Sequence, residues 1–385
     1  MDISFDRFTV LDGATGINLQ RAGLAAGVCP EKWITENPDA LISLQRRYAD
    51  AGSDAVYAPT FGANRIKLKK YGLSEELERL NRELVGISRA AVGDRAAVGG
   101  DISSPGLFLK PFGQIGFEEL VDIFRQQAEV LDAAGVDFFA AETLMTLAEA
   151  RAAVIAVKSV SDKPVIVTMS FEQNGRSLSG CTPLSALLSV QNLGADAFGI
   201  NCSVGPEAVL EMLKPLKDFA RIPLAAKPNA GLPQTGADGI PVYGMTPEEF
   251  AAHTGEFAEL GVRLFGGCCG TDERHIAALS RELSGLRAES KALPEVSLLC
   301  DEKHVWNADP GRNAVEIELG DFFADDIAEA EADDGTLFVV KVPKEYDAEV
   351  FSENQYLLNG PVKFVPEKGA DIDGLIRCYN GVAEV

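Results

Sequence analysis

Short apolar runs alternate with amphipathic helical patterns along the first three quarters of the chain. The run Val165–Met169 is apolar nearly throughout, as in a parallel strand buried on both faces. In Phe117–Ala134, apolar residues recur at spacings of three and four and predict a helix. The predicted strands are Phe8–Asp12, Asp54–Thr60, Ala96–Ile102, Asp137–Thr143, Pro164–Ser170, Ala197–Ser203, Pro223–Asn229 and Val262–Cys268. Eight such units favour an α/β fold of the (β/α)8 TIM-barrel type over a doubly wound sheet.

Residues typical of helix ends and helix starts stand between the predicted strands, in agreement with this alternation. Three predicted helices end in a Gly-x-Asp step before the next strand, in Ala51–Asp54, Ala134–Asp137 and Leu193–Asp196. Glycine there can adopt the left-handed conformation that closes a helix. Thr246–Glu249 combines an N-cap threonine, a proline and a glutamate, and predicts the start of a helix within Thr246–Leu260.

The pattern changes after about Gly285, which divides the chain into three predicted parts. Residues 1–285 form the barrel, residues 286–294 a linker, and residues 295–385 a small acidic α/β domain of unknown role. The strands predicted in this last part are Val315–Leu319, Leu337–Val342 and Val362–Val365, around one acidic helix near Asp325–Ala332.

Charge and composition narrow the function classes. The formal net charge is −23, and residues 291–385 hold 21 acidic against 8 basic residues. Such a surface repels nucleic acid and anionic lipid, and serves either as a solvated face or as a docking face for a partner. No run has the length of a membrane helix, and the start lacks a signal-peptide pattern, so we expect a soluble cytoplasmic protein. Seven scattered cysteines favour reduced thiols for metal binding or catalysis over a disulfide scaffold.

Chemistry in such barrels sits at the carboxyl ends of the strands. The polar or reactive residues predicted there are Asp12, Thr60, Asp101, Glu142, Asn201, Cys202, Asn229, Cys268 and Cys269. Cysteine pairs are often simply buried, but Cys268 and Cys269 stand among glycines, and Cys202 ends another strand of the same rim. Three thiolates select a soft ion such as zinc, and three protein ligands leave the fourth position open.

A zinc ion with three thiolate ligands is a weak Lewis acid for activating water, because its ligand set is already anionic. It is better suited to hold another thiol as a thiolate, which is the nucleophilic form of sulfur. The predicted chemistry is therefore alkyl transfer to the sulfur of a small thiol.

Six motifs together resemble the homocysteine S-methyltransferase family, over roughly residues 5 to 285. They are Leu11–Gly16, Thr60–Asn64, Ala141–Thr143, Gly199–Cys202, Lys227–Gly231 and Gly266–Thr271. The resemblance is nearest to the homocysteine-binding module of cobalamin-dependent methionine synthase. It implies a (β/α)8 barrel that forms methionine, with zinc on Cys202, Cys268 and Cys269 and homocysteine bound through its sulfur.

The resemblance also suggests roles for further residues. Asp12 and Glu142 fit the substrate ammonium, although strand-end acids also serve to tether loops. Thr60 and Phe61 match positions that line the pocket, where Phe61 could equally be core. Asn229 is a candidate labile fourth metal ligand or a turn residue.

Other polar groups of the rim and the remaining cysteines and histidines carry weaker expectations. Backbone amides of Gly13–Gly16 and around Ser103–Ser104 could bind the substrate carboxylate. His275 is expected to be structural, and His253 and His304 match nothing. The other cysteines are expected to be small apolar residues: Cys29, Cys181, Cys300 and Cys378.

The sequence motifs indicate the methyl acceptor but leave more than one methyl donor as an alternative. Only about 95 residues follow the predicted barrel, too few for a second barrel or the whole donor machinery. The methyl group is then expected to come from a corrinoid (methylcobalamin) carried by a partner protein, because the motifs are nearest to the methionine synthase branch; S-methylmethionine and betaine are the alternatives. Gly62 stands where a tyrosine would complete an aromatic cage, which argues against betaine. A non-catalytic zinc- or thiol-binding module is the alternative from another class.

Overall fold

The computed structural model describes residues 3, 5–236, 241–288, 297–308, 311–330 and 332–385. All eight predicted barrel strands are present. They are β1 Thr9–Val10, β2 Ala55–Ala58, β3 Ala97–Ile102, β4 Phe138–Leu144, β5 Val165–Met169, β6 Ala197–Asn201, β7 Leu224–Lys227 and β8 Val262–Phe265. Most are shorter than the predicted runs because the terminal residues turn into loops, whereas β4 extends one residue further.

The eight strands form one parallel sheet in the order β1-β8-β7-β6-β5-β4-β3-β2. Neighbours in this order follow one another around a ring, as in a barrel. The remaining gap, between β1 and β2, is bridged at Asp54. Its backbone N–H donates to Val10 O at 2.7 Å, and its carboxylate accepts from the Val10 N–H at 2.8 Å. The sheet is therefore a nearly closed (β/α)8 barrel, as the sequence predicts.

Helices surround the sheet and cover its outer face. Their bounds are Gly16–Arg21, Pro30–Glu36, Pro38–Asp50, Arg65–Lys69, Leu77–Val92, Phe117–Ala133, Leu147–Val160, Pro183–Asn192, Pro206–Leu213, Pro247–Ala251, Thr254–Glu259 and Glu273–Leu283, with short 3-10 turns at Ser74–Glu76 and Lys214–Leu216. Gly52, Gly135 and Gly194 have positive φ, which confirms the predicted helix endings. The helix predicted within Thr246–Leu260 begins with the expected capping box. It is split in two at residues 252–253.

The inside of the barrel is filled by mostly apolar side chains, both small and large. They are Leu11, Ala55, Tyr57, Ala97, Phe138, Ala140, Ile166, Ala197, Ala225 and Leu264. Gly99 of β3 makes room for the Phe138 ring, since a Cβ there would lie 2.4 Å from Phe138 Cζ. The barrel is thus a packed core whose functional surface lies at its ends.

The C-terminal part of the chain contains the predicted small α/β arrangement. Its parallel strands are Ala314–Glu318, Leu337–Val342 and Val362–Pro366, and Leu298–Cys300 pairs antiparallel with Val305–Asn307. The predicted acidic helix is present as Phe323–Glu329, but the expectation of one helix is wrong. Ala348–Asn354 and Asp373–Cys378 are also helical, and each is too short to leave a clear apolar period in the sequence. Of the predicted linker, residues 289–294 lie outside the described residues.

A buried arginine joins this C-terminal part to the barrel. Arg151, on the helix Leu147–Val160, donates to the carbonyl oxygens of Arg377 at 3.2 Å and Gly381 at 3.1 Å. Its guanidinium also donates to Ser189 Oγ at 3.1 Å. These acceptors compensate the cost of burying the cation. Within the described residues, no helix combines the length and the apolar character needed to cross a membrane.

Candidate active site

Three cysteines meet at the carboxyl end of the barrel, as the strand-end rule predicts. The sulfur atoms of Cys202, Cys268 and Cys269 all lie within 4.8 Å of one another, and the Cys202 and Cys269 sulfurs are 3.8 Å apart. We call these three residues the thiol cluster. All three are partly exposed, whereas the other four cysteines are buried free thiols, as expected for small apolar residues. The thiol cluster is therefore the group of cysteines that is accessible to an ion and a substrate.

The backbone at Cys202 is strained into the left-handed region. Cys202 has φ +61° and Ser203 has φ +58°, values that side-chain-bearing residues rarely adopt. The turn is held by the Cys202 N–H, which donates to Lys227 O at 3.1 Å, and by the Val204 N–H, which donates to Cys202 O at 2.7 Å. Strain of this kind persists only where the surrounding structure enforces it, and it concentrates at functional sites.

Glycines on both sides of the cysteine pair are required by close contacts. A Cβ at Gly267 would lie 2.4 Å from Thr271 Oγ1. Gly270 has φ +85°, and a Cβ there would lie 2.3 Å from Tyr243 Cγ. The Cys268 N–H donates to Pro228 O at 2.8 Å and ties this loop to the end of β7. The glycines thus let the loop after β8 fold tightly enough to bring its cysteines beside Cys202.

Mutual hydrogen bonding makes the three thiols unequal as acids. Hydrogen bonds from Cys202 and Cys268 lower the pKa of Cys269 to about 3, and Tyr243 adds to this effect. Hydrogen bonding to Cys202 and Cys269 raises the pKa of Cys268 well above its usual value. Cys269 is therefore the most acidic thiol of the cluster, and binding of a soft cation would release the protons that the cluster holds.

Asn229 supplies a possible fourth contact beside the thiols. Its side chain is buried, and its amide oxygen has no hydrogen-bond partner among the described residues. Its backbone N–H donates to Val204 O at 2.9 Å, which fixes it next to the turn at Cys202. Three sulfurs and one unpartnered amide oxygen fit a zinc ion, which prefers four ligands and tolerates one exchangeable position.

A buried lysine that the sequence reading missed organises the acids of the mouth. Lys227 Nζ lies 3.2 Å from an oxygen of Asp12, 3.2 Å from an oxygen of Glu142 and 3.6 Å from the centre of the Tyr57 ring. Burial opposes its charge, but Glu142, Tyr57 and Asp12 outweigh burial and raise its pKa. The only sequence signal is a lysine that ends an otherwise apolar strand. We call Asp12, Tyr57, Asp101, Glu142 and Lys227 the charged cluster.

The two acids predicted to bind the ammonium occupy different surroundings. Asp12 is fully buried, and its second oxygen accepts the Tyr57 N–H at 2.8 Å, so this carboxylate also links β1 to β2. Glu142 is partly accessible at a bulge, where the register of β4 with β5 shifts and Thr143 has φ +55°. A bulge re-aims a side chain. Glu142 is thus the acid of this pair that a substrate can reach, and both roles stay predictions.

Thr60 and Phe61, predicted to line the pocket, also differ. The Thr60 hydroxyl donates to Asp101 O at 2.7 Å and accepts the Asp101 N–H at 3.0 Å, so Thr60 holds the end of β2 against β3. Phe61 is 36% exposed at the rim, and the Lys67 ammonium lies 4.3 Å from its ring centre. The structure places Phe61 at the opening and Thr60 behind it.

Several of the buried polar atoms that lack a hydrogen-bond partner among the described residues lie at this end of the barrel. They include the Tyr57 hydroxyl, Asp101 Oδ1, Ser103 Oγ, Thr168 Oγ1 and Asn229 Oδ1. Such groups are rare in folded proteins because an unmade hydrogen bond is costly. Several of them at one opening fit a site whose ligand supplies polar partners.

Two further sequence expectations concern positions around the thiols and acids. His275 is buried, its Nδ1 lies 2.8 Å from an oxygen of Asp272 and its Nε2 lies 3.2 Å from Met245 O, so it is structural as expected. Carboxylate binding by the backbone amides around Ser103–Ser104 stays a prediction; of the two side chains, the Ser104 hydroxyl donates to Glu149, and Ser103 Oγ has no hydrogen-bond partner among the described residues.

An open groove of about 870 Å³ lies on the outer side of the loops after β5, β6 and β7. It is lined by residues such as Arg176, Glu207 and His253, and by none of the thiol or charged cluster.

Comparison with known proteins gives a consistent family. The sequence profile described as homocysteine S-methyltransferase matches residues 9–283. The methionine synthase of Mycobacterium tuberculosis is 33% identical over 319 residues, which cover 78% of this chain and 27% of that protein. The methionine synthase of Mycobacterium leprae is 35% identical over 289 residues, which cover 70% and 24%. This chain thus spans about a quarter of the length of these relatives.

Solved structures with the same fold include a homocysteine methyltransferase. The metallated form of MmuM from Escherichia coli superposes with a TM-score of 0.60 at 22% identity, over 72% of this chain and 96% of that one. Its apo form gives 0.56 at 23% identity, over 71% and 95%. These likenesses support the barrel fold.

Proposed function

This chain belongs to the homocysteine S-methyltransferase family, and on that premise we propose that it methylates homocysteine to form methionine. The observation that carries the proposal is the thiol cluster, whose three sulfurs lie within 4.8 Å at the open end of the barrel. Its cysteines come from the ends of two different strands, β6 and β8, which is how barrel enzymes assemble catalytic sites.

We infer that Cys202, Cys268 and Cys269 hold a zinc ion. When bound, zinc supplies a Lewis acid that keeps the acceptor's thiol in its thiolate form. Asn229 can offer its unpartnered amide oxygen to the same ion when no acceptor is present. The Tyr243 hydroxyl hydrogen-bonds to Cys269 and helps to lower the pKa of this thiol.

The charged cluster is proposed to bind the far end of the acceptor. The partly accessible carboxylate of Glu142 accepts hydrogen bonds from the substrate ammonium. Lys227 contacts both Glu142 and Asp12, so Asp12 helps to hold Glu142 in position. Phe61 and Thr60 form the adjoining wall. In the transfer, the acceptor's sulfur bonds to the methyl carbon while the bond from carbon to the donor breaks, and its electron pair stays with the donor.

For the donor we propose a methyl-corrinoid carried by a separate protein or module. Loops that follow the barrel strands expose large apolar side chains: Phe61, Phe108, Phe112, Met145, Leu178, Leu232 and Val242. We propose that they form an apolar rim, which would be typical of a surface that another macromolecule covers. The acidic C-terminal part, residues 295–385, is proposed as an additional docking face. Small donors, S-methylmethionine or betaine, would leave this apolar rim exposed to water.

A metal-and-ligand experiment tests the proposal against a non-catalytic zinc-binding module. We expect about one zinc per chain, and X-ray absorption at the zinc edge should gain one sulfur neighbour when homocysteine is added. Cys202→Ala should lose this response. A wild-type protein that binds zinc but gains no sulfur would contradict the enzyme proposal.

A donor assay separates the remaining alternatives. Methionine formation is measured with free methylcobalamin, S-methylmethionine and betaine offered in parallel to the zinc-loaded protein. We expect turnover with methylcobalamin alone. Turnover with betaine or S-methylmethionine in place of methylcobalamin would overturn the corrinoid proposal and leave the homocysteine proposal standing.

A further inference from the structure

Lys67 is a half-buried cation beside the opening of the barrel. It lies on the short helix Arg65–Lys69, which follows β2 and is capped by Asn64, whose side-chain oxygen accepts the N–H groups of Ile66 and Lys67. This cap fixes the start of the helix directly after the loop that carries Phe61. The ammonium of Lys67 consequently lies over the Phe61 ring, 4.3 Å from its centre.

No carboxylate of the described residues lies within 4 Å of the Lys67 ammonium, although several acids are near enough to act on it. Burial lowers its pKa, whereas Asp101, Glu31 and Glu149 raise it. Glu31 is occupied elsewhere, because one of its oxygens accepts the Gly62 N–H at 2.9 Å. Glu149 is occupied as well, by the Met145 N–H at 3.0 Å. A partly desolvated lysine without an ion-pair partner is unusual, since burial of a charge is costly unless it is paired.

Asp101 connects this lysine to the charged cluster. It is buried at the end of β3 with Oδ1 unpartnered, and Glu142, Lys227, Asp12 and Lys67 all act on it electrostatically. Glu142 in turn is close enough to Cys269 to respond to its charge. Lys67 therefore belongs to the same opening as the thiol cluster, on the side of β2 and β3.

Lys227 cannot serve a substrate carboxylate, because Asp12 and Glu142 already share its ammonium and it is buried beneath them. Lys67, in contrast, lies beside Phe61 at the opening, and no carboxylate of the described residues is in contact with its ammonium. An amino acid bound there would place its ammonium toward the acids and its carboxylate toward this lysine.

We propose that Lys67 binds the carboxylate of the acceptor, so that the enzyme selects a thiol that is also an amino acid over a simple thiol. This inference rests on the proposed function and specifies its substrate class. Lys67 is a substrate-binding residue in this proposal, and Phe61 holds its side chain in place through the ring contact.

The test compares Lys67→Met with wild type and with Lys69→Met. Lys69 lies on the same helix, carries the same charge and is exposed, so it controls for net charge and for changes in the helix. Zinc-loaded proteins are titrated calorimetrically with homocysteine and with 3-aminopropane-1-thiol, which has the same thiol and ammonium but no carboxylate. Steady-state rates with methylcobalamin are measured in parallel.

We expect Lys67→Met to weaken homocysteine binding by roughly tenfold to a hundredfold, the range for a hydrogen bond to a charged group. The loss should appear in KM with kcat little changed, Lys67→Arg should recover most of it, and Lys69→Met should stay within about twofold of wild type. Binding of 3-aminopropane-1-thiol should be the same in wild type and Lys67→Met.

Equal losses for both thiols would show a structural role and overturn the inference, as would unchanged homocysteine binding in Lys67→Met. Wild-type protein that binds neither thiol would refute the proposed function itself. Wild-type protein that binds both thiols equally well would refute only the role of Lys67. The two failures are therefore distinguishable.

Discussion

The thiol cluster and the charged cluster share one opening of the barrel but are positioned by different means. The thiols lie in loops after β6 and β8, where a left-handed turn at Cys202 and contact-limited glycines at Gly267 and Gly270 determine where the sulfurs lie. The charged side chains stand on or beside strands and are held by one another, with Lys227 between Asp12 and Glu142.

This difference assigns different tasks to the two clusters. The backbone fixes the positions of the three sulfurs, so their spacing stays the same when protons or a metal ion bind or leave. This suits metal binding. A set of buried charges keeps its arrangement only while the charges balance, which suits recognition of an ammonium and a carboxylate. We therefore expect mutations in the thiol cluster to affect metal and catalysis first, and mutations in the charged cluster to affect stability as well.

Cys202→Ala should give the largest effect. Loss of one of three sulfur ligands is expected to abolish zinc retention against a chelator and to lower methyl transfer by roughly three orders of magnitude. Zinc content after dialysis and the rate of methionine formation measure both. Cys378→Ala, which removes a buried thiol outside the opening, should keep its zinc. Loss of zinc from both variants would contradict the assignment.

Lys227→Met tests whether the stability of the charged cluster depends on the pairing of its acids with this lysine. Without the lysine, the buried Asp12 and the partly accessible Glu142 are left without their cation, and the free energy of unfolding is expected to fall by about 3–5 kcal/mol. Urea unfolding of the zinc-free protein measures this. The control is Lys69→Met, an exposed lysine whose loss should change stability by less than about 0.5 kcal/mol. A loss of similar size in both would show that Lys227 is not the centre of this cluster.

Gly270→Ala tests the backbone of the thiol cluster. Gly72→Ala provides the control, because Gly72 also has positive φ but has open space around it. Gly72→Ala should cost about 1 kcal/mol for the left-handed conformation alone. Gly270→Ala should cost about 1–3 kcal/mol more, since the added methyl meets the Tyr243 ring. Equal losses in thermal or urea unfolding would mean that the Tyr243 side chain moves aside at no cost.

Asp101→Asn should give the smallest effect, and one that depends on pH. Burial and then the charge of Glu142 raise the pKa of Asp101 well above its usual value, so the folded protein favours the protonated acid. A raised folded-state pKa means that stability is lost as pH rises from about 4, the unfolded pKa, through the folded pKa. Asp101→Asn has no carboxyl to ionise here and lacks this loss. In urea unfolding, the free energy of unfolding of Asp101→Asn relative to the wild type should therefore increase between acidic and mildly alkaline pH. A difference that stays constant with pH would contradict a raised pKa of Asp101.

Much of the fold could be predicted from the sequence because its signals are local. A strand buried on both faces must be apolar along its length, so all eight barrel strands are recognisable as runs. The split of the helix within Thr246–Leu260 could not be predicted, because the capping box reports only where a helix begins. The two extra helices of the C-terminal part are too short to establish a period.

The candidate site divides in the same way. Cys202, Cys268 and Cys269 could be brought together from the sequence because each ends a strand and all parallel strands end at one rim. Lys227 could not, since its partner Asp12 is 215 residues away and a lysine at a strand end has many possible neighbours. The roles of Lys67 and Tyr243 could not be predicted either, because they depend on the contact of Lys67 with Phe61 and of Tyr243 with Gly270.

By itself, then, the sequence determined which strands form the barrel and that its thiols converge, because apolar runs and strand order are properties of the chain. Only the tertiary structure decided which acids are balanced, which cation is left without a carboxylate partner and which amide oxygen is buried without a hydrogen-bond partner. Those properties depend on distances between side chains far apart in sequence, and at 3 to 4 Å a small displacement separates an ion pair from an unpartnered charge.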